Sequence, residues 1–371
     1  MERPEFATAL IIAAVLLKVQ YNPSVMSIPK VPFIRGLGLL LFMVALSWAI
    51  LHSSARTAAS CAGLVSDRAT TAHRELPDSS KNPLPTDPQE FYLRCHSAGV
   101  LVCVGFDSPT DFVPAKWPGS GLYPAGDQVI RGSFDTTVKA SGKGSLRFEI
   151  PSHSGANAAG SWIQRFGRNF GEGTTFYVQF RERFSPEMLK NHWGDTSWKQ
   201  VIFHNAAATC ASVELTTGQY YHDGFPIMYT ECGGRGLYTN SGTPPYLLEQ
   251  GDYNCWYGQY NAKSCFMYPA NAWVTFYYQV SLGHWGKPDS SINAWVALDG
   301  QGYRQWIRMP HFILRNEHPG QDYDSLTLLT YMTNKDASKD LPTAYAWYDE
   351  LIVSTEPIAP PTASDDVGDA K

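Results

Sequence analysis

The sequence predicts an all-β fold, an antiparallel β-sandwich or jelly roll, on three observations. Short runs rich in β-branched and aromatic residues follow one another from residue 100 to residue 353, separated by Gly, Pro, Asn and Asp. Several of these runs alternate strictly between apolar and polar side chains. No amphipathic helix longer than the short segment Pro186 to Lys190 interrupts them, and no repeat of propeller period is visible.

Two apolar runs precede the β domain. Phe6 to Leu17 is shorter than the roughly 20 residues that a bilayer span requires. Gly36 to Leu51 follows Lys30 and Arg35 and leads into the mostly small residues 53–63, the order of a secretory signal with cleavage between Ala55 and Cys61. An uncleaved anchor is the competing reading, since flanking groups can stretch a short apolar run. Residues 1–60 therefore read as a leader with a signal peptide or signal anchor. The expected location is secreted, periplasmic or at the cell surface, with membrane contact only through an uncleaved leader.

The cysteines agree with export. Leaving out Cys61, six remain, at 95, 103, 210, 232, 255 and 265, an even number that suits an oxidising compartment. Their spacing suggests local pairs, Cys95 with Cys103, Cys210 with Cys232 and Cys255 with Cys265, although six thiols allow 15 connectivities. None has the Cys-x-x-Cys spacing of a zinc site. Residues 61–96, polar and interrupted by Pro77, Pro83, Pro85 and Pro88, read as a flexible linker, and 357–371, with Pro360, Pro361 and an Asp-rich end, as a disordered tail.

Between them, at 97–356, the expected strands are Val100 to Phe106, Ser145 to Ile150, Thr174 to Phe184, Trp198 to Asn205, Ser212 to Thr216, Ile227 to Thr230, Trp273 to Leu282, Ile292 to Leu298, Arg304 to Arg308, Leu326 to Met332 and Ala344 to Val353. A Gly-, Tyr- and Cys-rich insertion at 206–271 follows the fourth strand. In Thr174 to Phe184, Phe176, Val178, Phe180 and Phe184 point one way and Tyr177, Gln179, Arg181 and Arg183 the other. Trp273 to Leu282 sets Val274, Phe276, Tyr278 and Val280 against Thr275, Tyr277 and Gln279, and Ile292 to Leu298 sets its apolar residues against Asn293 and Trp295. Each strand thus has one core face and one face of Arg, Gln, Asn, Tyr and Trp. Such a face suits a sheet that holds a sugar chain, with rings stacking on pyranoses and planar groups gripping hydroxyls and carboxylates. The bland reading is an aromatic outer face covered by loops.

Composition fits carbohydrate work without requiring it: 13% of residues are aromatic, including 11 Trp and 20 Tyr. A net charge of -5 and the absence of Lys/Arg blocks argue against a nucleic-acid partner. In Trp198 to Asn205, strand parity puts Gln200 and His204 on one side, an amide and a titratable imidazole where sugar binding or acid/base chemistry could be placed. A satisfied structural histidine is the alternative.

The strand Phe176-Tyr-Val-Gln-Phe-Arg-Glu-Arg-Phe184 with Ser-Pro after it, Lys199-Gln-Val-Ile-Phe-His204, Ala272-Trp-Val-Thr-Phe-Tyr-Tyr278 followed by Asn293-Ala-Trp-Val-Ala-Leu-Asp-Gly300, and Ala346-Trp-Tyr-Asp-Glu-Leu-Ile-Val353 together resemble the concanavalin A-like jelly-roll polysaccharide lyases, over roughly Val100 to Thr355. The resemblance implies β-elimination in an anionic, uronate-containing polysaccharide. That chemistry needs a group to neutralise the uronate carboxylate, a base for the C5 proton and an acid for the departing O4. On this resemblance Arg181 and Gln200 are the neutralisers, His204 or a Tyr the base and Tyr331 the acid, with Lys335 placed to bind a carboxylate or lower the Tyr331 pKa.

Alginate lyases of this fold carry Gln and His two residues apart. Here Gln200 and His204 are four apart, about 13 Å at 3.3 Å per residue, so a bulge shortens the distance, the two serve neighbouring subsites, or the pair is lost. The insertion could lid the cleft and supply other groups such as His222. The same pattern also describes laminin-G-like lectin modules, so a non-catalytic carbohydrate-binding or surface structural module is the alternative function. No paired-carboxylate glucanase motif, nucleophile elbow or phosphate loop is present. Adjacent Asp349 and Glu350 are expected on opposite faces. No cofactor is expected; Asp and Asn of the insertion could ligate a structural calcium, without the spacing of a calcium loop.

Overall fold

The computed structural model describes residues 88–193, 198–206, 213–219, 224–230, 247–248, 265–299, 301–316 and 318–361. The strands are β1 (Val100–Val104), β2 (Gly121–Tyr123), β3 (Gly132–Asp135), β4 (Ser145–Ile150), β5 (Ser161–Phe170), β6 (Thr175–Phe184), β7 (Lys199–His204), β8 (Glu214–Gln219), β9 (Pro226–Tyr229), β10 (Leu247–Leu248), β11 (Val274–Ser281), β12 (Pro288–Leu298), β13 (Arg304–Ile313), β14 (Tyr323–Leu329) and β15 (Ala344–Ser354). Among the described residues two α-helices accompany them, α1 (Pro88–Cys95) and α2 (Pro186–Lys190). In α2, Pro186 sits where a missing N–H costs nothing and Ser185 caps the first turn by accepting from the Met188 amide at 3.3 Å.

The strands form two antiparallel sheets. The first runs β13-β12-β11-β6-β15-β4-β3, with β1 also paired to β15; the second runs β10-β9-β8-β7-β14-β5-β2. Their apolar faces pack on each other to make the core, as the alternation in β6, β11 and β12 requires. Phe176 of the first sheet meets Phe203 and Tyr323 of the second at ring-centroid distances of 5.7 Å, and Tyr278 meets Phe203 at 5.2 Å. Contacts of this kind contribute about 0.5–1.5 kcal/mol each beyond the area they bury. The fold is the β-sandwich that the sequence predicts.

Two segments expected to be loose are packed. The linker read over 61–96 gives way to helix α1, whose Phe91 and Arg94 are buried while Tyr92 and Leu93 face out. A Glu90–Arg94 pair one turn apart supports the helix, and a Cys95–Cys103 disulfide ties its end to β1. At the other end, 356–361 lies on the first sheet: Ile358 is 3% exposed and the Ala359 carbonyl accepts from Gln179 at 3.1 Å. Both segments cover the outward face of the first sheet, where their apolar side chains find Tyr277 and Ile352. The expected leader, most of the expected linker, residues 362–371 and much of the insertion, with Cys210, Cys232, Cys255 and His222, lie outside the described residues. Cys265 is disulfide-bonded.

Candidate functional site

The expected sugar face of β6, β11 and β12 is a closed ion-pair network. Arg181 is 2% exposed and Gln179 fully buried. Arg94 of α1 meets Glu350 at 2.7 Å and also bonds Gln179, while Arg181 pairs with Asp299 and lies 3.6 Å from Glu350. The second end of the Gln179 amide donates to the Tyr303 hydroxyl at 2.9 Å. Tyr177, Arg183 and Trp295 are half-buried beside them, with Trp295 packed on Tyr277. Parity was right for this face, but its guanidinium and amide are used by the protein itself. A bulge at Asp349 and Glu350, with Glu350 at φ 50°, turns the Glu350 carboxylate into this network while Asp349 accepts the Ala140 amide at 2.7 Å.

His204 belongs to the other sheet and faces away from the core. On β7, Val201 and Phe203 enter the core, so Ile202 and His204 point outward. Cross-strand register then builds rows of side chains on that outward face. One row reads Glu214 on β8, His204 on β7, Ser325 on β14 and Arg165 on β5; the next reads Thr216, Ile202, Thr327 and Ile163.

The imidazole is held in one tautomer. His204 Nδ1 lies 3.1 Å from the Asn205 carbonyl, which can only accept, so Nδ1 carries the proton. Nε2 is then an acceptor, taking the Thr327 hydroxyl at 2.7 Å. Burial, His204 being 7% exposed, lowers its pKa from 6.5 and outweighs the Asn205 bond and the Asp324 charge, so the ring is neutral at pH 7. The indole of Trp117, itself 43% exposed, lies nearly parallel to it at 6.3 Å.

Charged groups flank the histidine on both sides. Lys199 Nζ is 3.9 Å from Glu214, the cross-strand partner of His204, and 5.4 Å from the ring of Tyr331. Thr216 donates to Glu214 at 3.1 Å. On the far side Arg165 pairs with Asp324 at 2.6 Å, and Asp324 also accepts the Ala206 amide at 2.8 Å. Lys199 thus stands between Glu214 and Tyr331, while His204 lies opposite Ser325, six residues before Tyr331 in the sequence.

Gln200 does not join them. A bulge lies between Lys199 and Val201, but instead of bringing Gln200 toward His204 it turns Gln200 into the core, where its Oε1 accepts the Tyr268 hydroxyl at 2.7 Å, so of the three alternatives the pair is separated. Lys335 is also elsewhere: its ammonium donates to Ser154 and lies 5.1 Å from the Trp193 ring, and burial lowers its pKa. Sequence reasoning missed Lys199, Glu214, Arg165, Thr327 and Trp117. Glu214 was findable, since a lone acid between Val213 and Leu215 has to face away from the core.

Among the described residues no group of His, Cys, Asp or Glu is arranged to hold a metal ion. No family model and no curated protein matches the chain. Among solved structures, an alginate lyase of family PL-14 from Aplysia kurodai is similar at 15% identity, over 65% of this chain and 100% of that one, with a TM-score of 0.39. An endo-β-1,4-glucuronan lyase from the fungus Trichoderma reesei is similar at 14% identity, over 61% and 87%, also at 0.39. The binding domain of botulinum neurotoxin serotype C1 is similar at 9% identity, over 61% and 43%, at 0.35.

Proposed function

We propose that the outward face of the second sheet binds an acidic polysaccharide and cleaves it by β-elimination. The observation that carries this reading is a neutral imidazole with Nε2 as acceptor, in one cross-strand row with Glu214 and Arg165, on the face where Lys199 meets Glu214 and the Tyr331 ring. His204 takes the C5 proton once Thr327 yields Nε2; Arg165 or Lys199 meets the uronate carboxylate, and Tyr331 protonates the departing oxygen. A neutral base is what such a step needs at pH 7. Export of the protein belongs to the same reading and is supported by the Cys95–Cys103 disulfide.

A second reading, carbohydrate binding without chemistry, is favoured by the exposed Trp117 ring beside His204. Incubating the protein with alginate, polyglucuronate and pectate while following the ultraviolet absorbance of unsaturated products separates the two. Lysis predicts a rise with at least one polymer. Tight binding with no rise on any polymer gives the site to the second reading.

A further inference from the structure

Strand β7 carries an irregularity that decides which side chain reaches the site. Val201 and Phe203 point into the core, so unbroken alternation would send Lys199 inward and Gln200 outward. The opposite is found. β8 pairs Gly218 with Lys199 and Thr217 with Val201, which leaves Gln200 as the extra residue of a β-bulge. Gln200 is fully buried, and Lys199 reaches Glu214 and Tyr331 on the outward face.

The bulge is held from within the sandwich. The Tyr268 hydroxyl donates to Gln200 Oε1 at 2.7 Å. The Tyr348 hydroxyl, from the opposite sheet, lies 2.9 Å from the Gln200 carbonyl and 3.0 Å from the Leu329 carbonyl, so one proton is shared between β7 and β14. Next to that tie, the Lys199 amide donates to the Tyr331 carbonyl at 2.8 Å. Gly218 completes the fit, because a Cβ there would stand 2.6 Å from the Trp198 carbonyl.

We propose that Tyr348 and Tyr268, acting through Gln200, are positioning residues that keep the bulge in place and so hold the Lys199 ammonium against Tyr331. The inference rests on reading this face as the site, but its geometry can be tested without any substrate. Removing either hydroxyl leaves the ring to fill its space while a buried carbonyl or amide oxygen loses its donor. The strand then relaxes toward regular alternation, and Lys199 is the side chain that moves.

The test uses the full chain with its lysines dimethylated by isotope-labelled formaldehyde. The Lys199 signal is identified by its loss in Lys199→Arg. Its displacement by the Tyr331 ring current is identified by comparison with Tyr331→Leu. In Tyr348→Phe the Lys199 signal is expected to move toward its position in Tyr331→Leu while the other lysine signals stay. Tyr268→Phe should move the same signal, and it decides the matter if Tyr348→Phe does not fold. If the wild type cleaves a uronate polymer, kcat should fall roughly 10²-fold in these variants, the scale for displacing a group by about 1 Å. Folded variants whose Lys199 signal is unmoved overturn the proposal, whether or not lysis is found; absence of lysis with a moved signal overturns only the lyase reading.

Discussion

His204 faces outward from its sheet and is nevertheless 7% exposed, which gives one side chain two opposing demands. Burial favours the neutral ring, so the folded pKa lies below 6.5 while the unfolded chain titrates near that value. As pH falls below 6.5 the unfolded state binds the proton first, and this residue's contribution to stability is lost through the window down to the lowered pKa. His204→Gln removes that acid-side loss, so its melting temperature should fall less than that of the wild type as pH drops below 6.5. Under the lyase reading the same substitution lowers kcat by roughly 10²- to 10⁴-fold, with unfolding still cooperative at pH 7. Equal turnover per folded molecule would make His204 a structural histidine. That it lies on a strand was legible in Lys199 to His204; its outward direction was not, because both faces of that strand mix polar and apolar groups, and nor was its tautomer, because Thr327 lies 123 residues away on another strand.

At the scale of the element, α1 explains why the sequence-based sugar face is closed. Eight residues beginning with proline, after a polar stretch, show little helical period, yet they carry Phe91 onto the sheet and Arg94 into a pair with Glu350. The alternation of β6 was legible and correct, but what covered it came from outside the strand. Alternation is also blind to bulges: one extra residue at Gln200 sends it inward, and another at Asp349 and Glu350 aims a carboxylate at two arginines. The Arg94 and Glu350 side chains are 3% and 0% exposed, so removing one partner strands a buried charge. Arg94→Ala should therefore cost about 3–5 kcal/mol, read by urea denaturation. A cost below about 1 kcal/mol, the range of surface pairs, would show that α1 lies loosely on the sheet. Lysis of a uronate polymer per folded molecule should be unchanged, since the proposed site is on the other sheet.

Over the whole molecule, eleven of the fifteen strands among the described residues and the inward faces of β6, β11 and β12 were legible because a two-layer sandwich imposes a period of two on its elements; β2, β3, β5 and β10 were not expected. Which sheet carries the proposed site was not legible, because adjacent strands in sequence are divided between layers, with β6 in one and β7 in the other. The expected leader belongs to this scale as well: N-terminal sequencing of exported protein should begin after Ala55, and recovery of residues 26–50 would establish an anchor instead. The interior between the layers has its own consequence for stability. Glu182 points inward from β6, is fully buried, and lies against the Tyr348 hydroxyl and the Gln200 amide. Burial raises its pKa well above 4.5, and Asp349, buried beside Glu350, is likewise raised from 3.8. Above those ordinary values the folded state keeps protons that the unfolded chain has released, so stability falls as pH rises toward the folded pKa of each. For one such group the slope reaches about 1.4 kcal/mol per pH unit. Glu182→Gln keeps the shape and removes the titration. Melting temperatures measured from pH 4 to pH 9 should therefore show the two proteins close together at the acid end and the variant losing less toward the alkaline end. Parallel curves would mean that Glu182 is ionised in the folded state and that the core meets its charge in a way the surrounding tyrosines do not suggest.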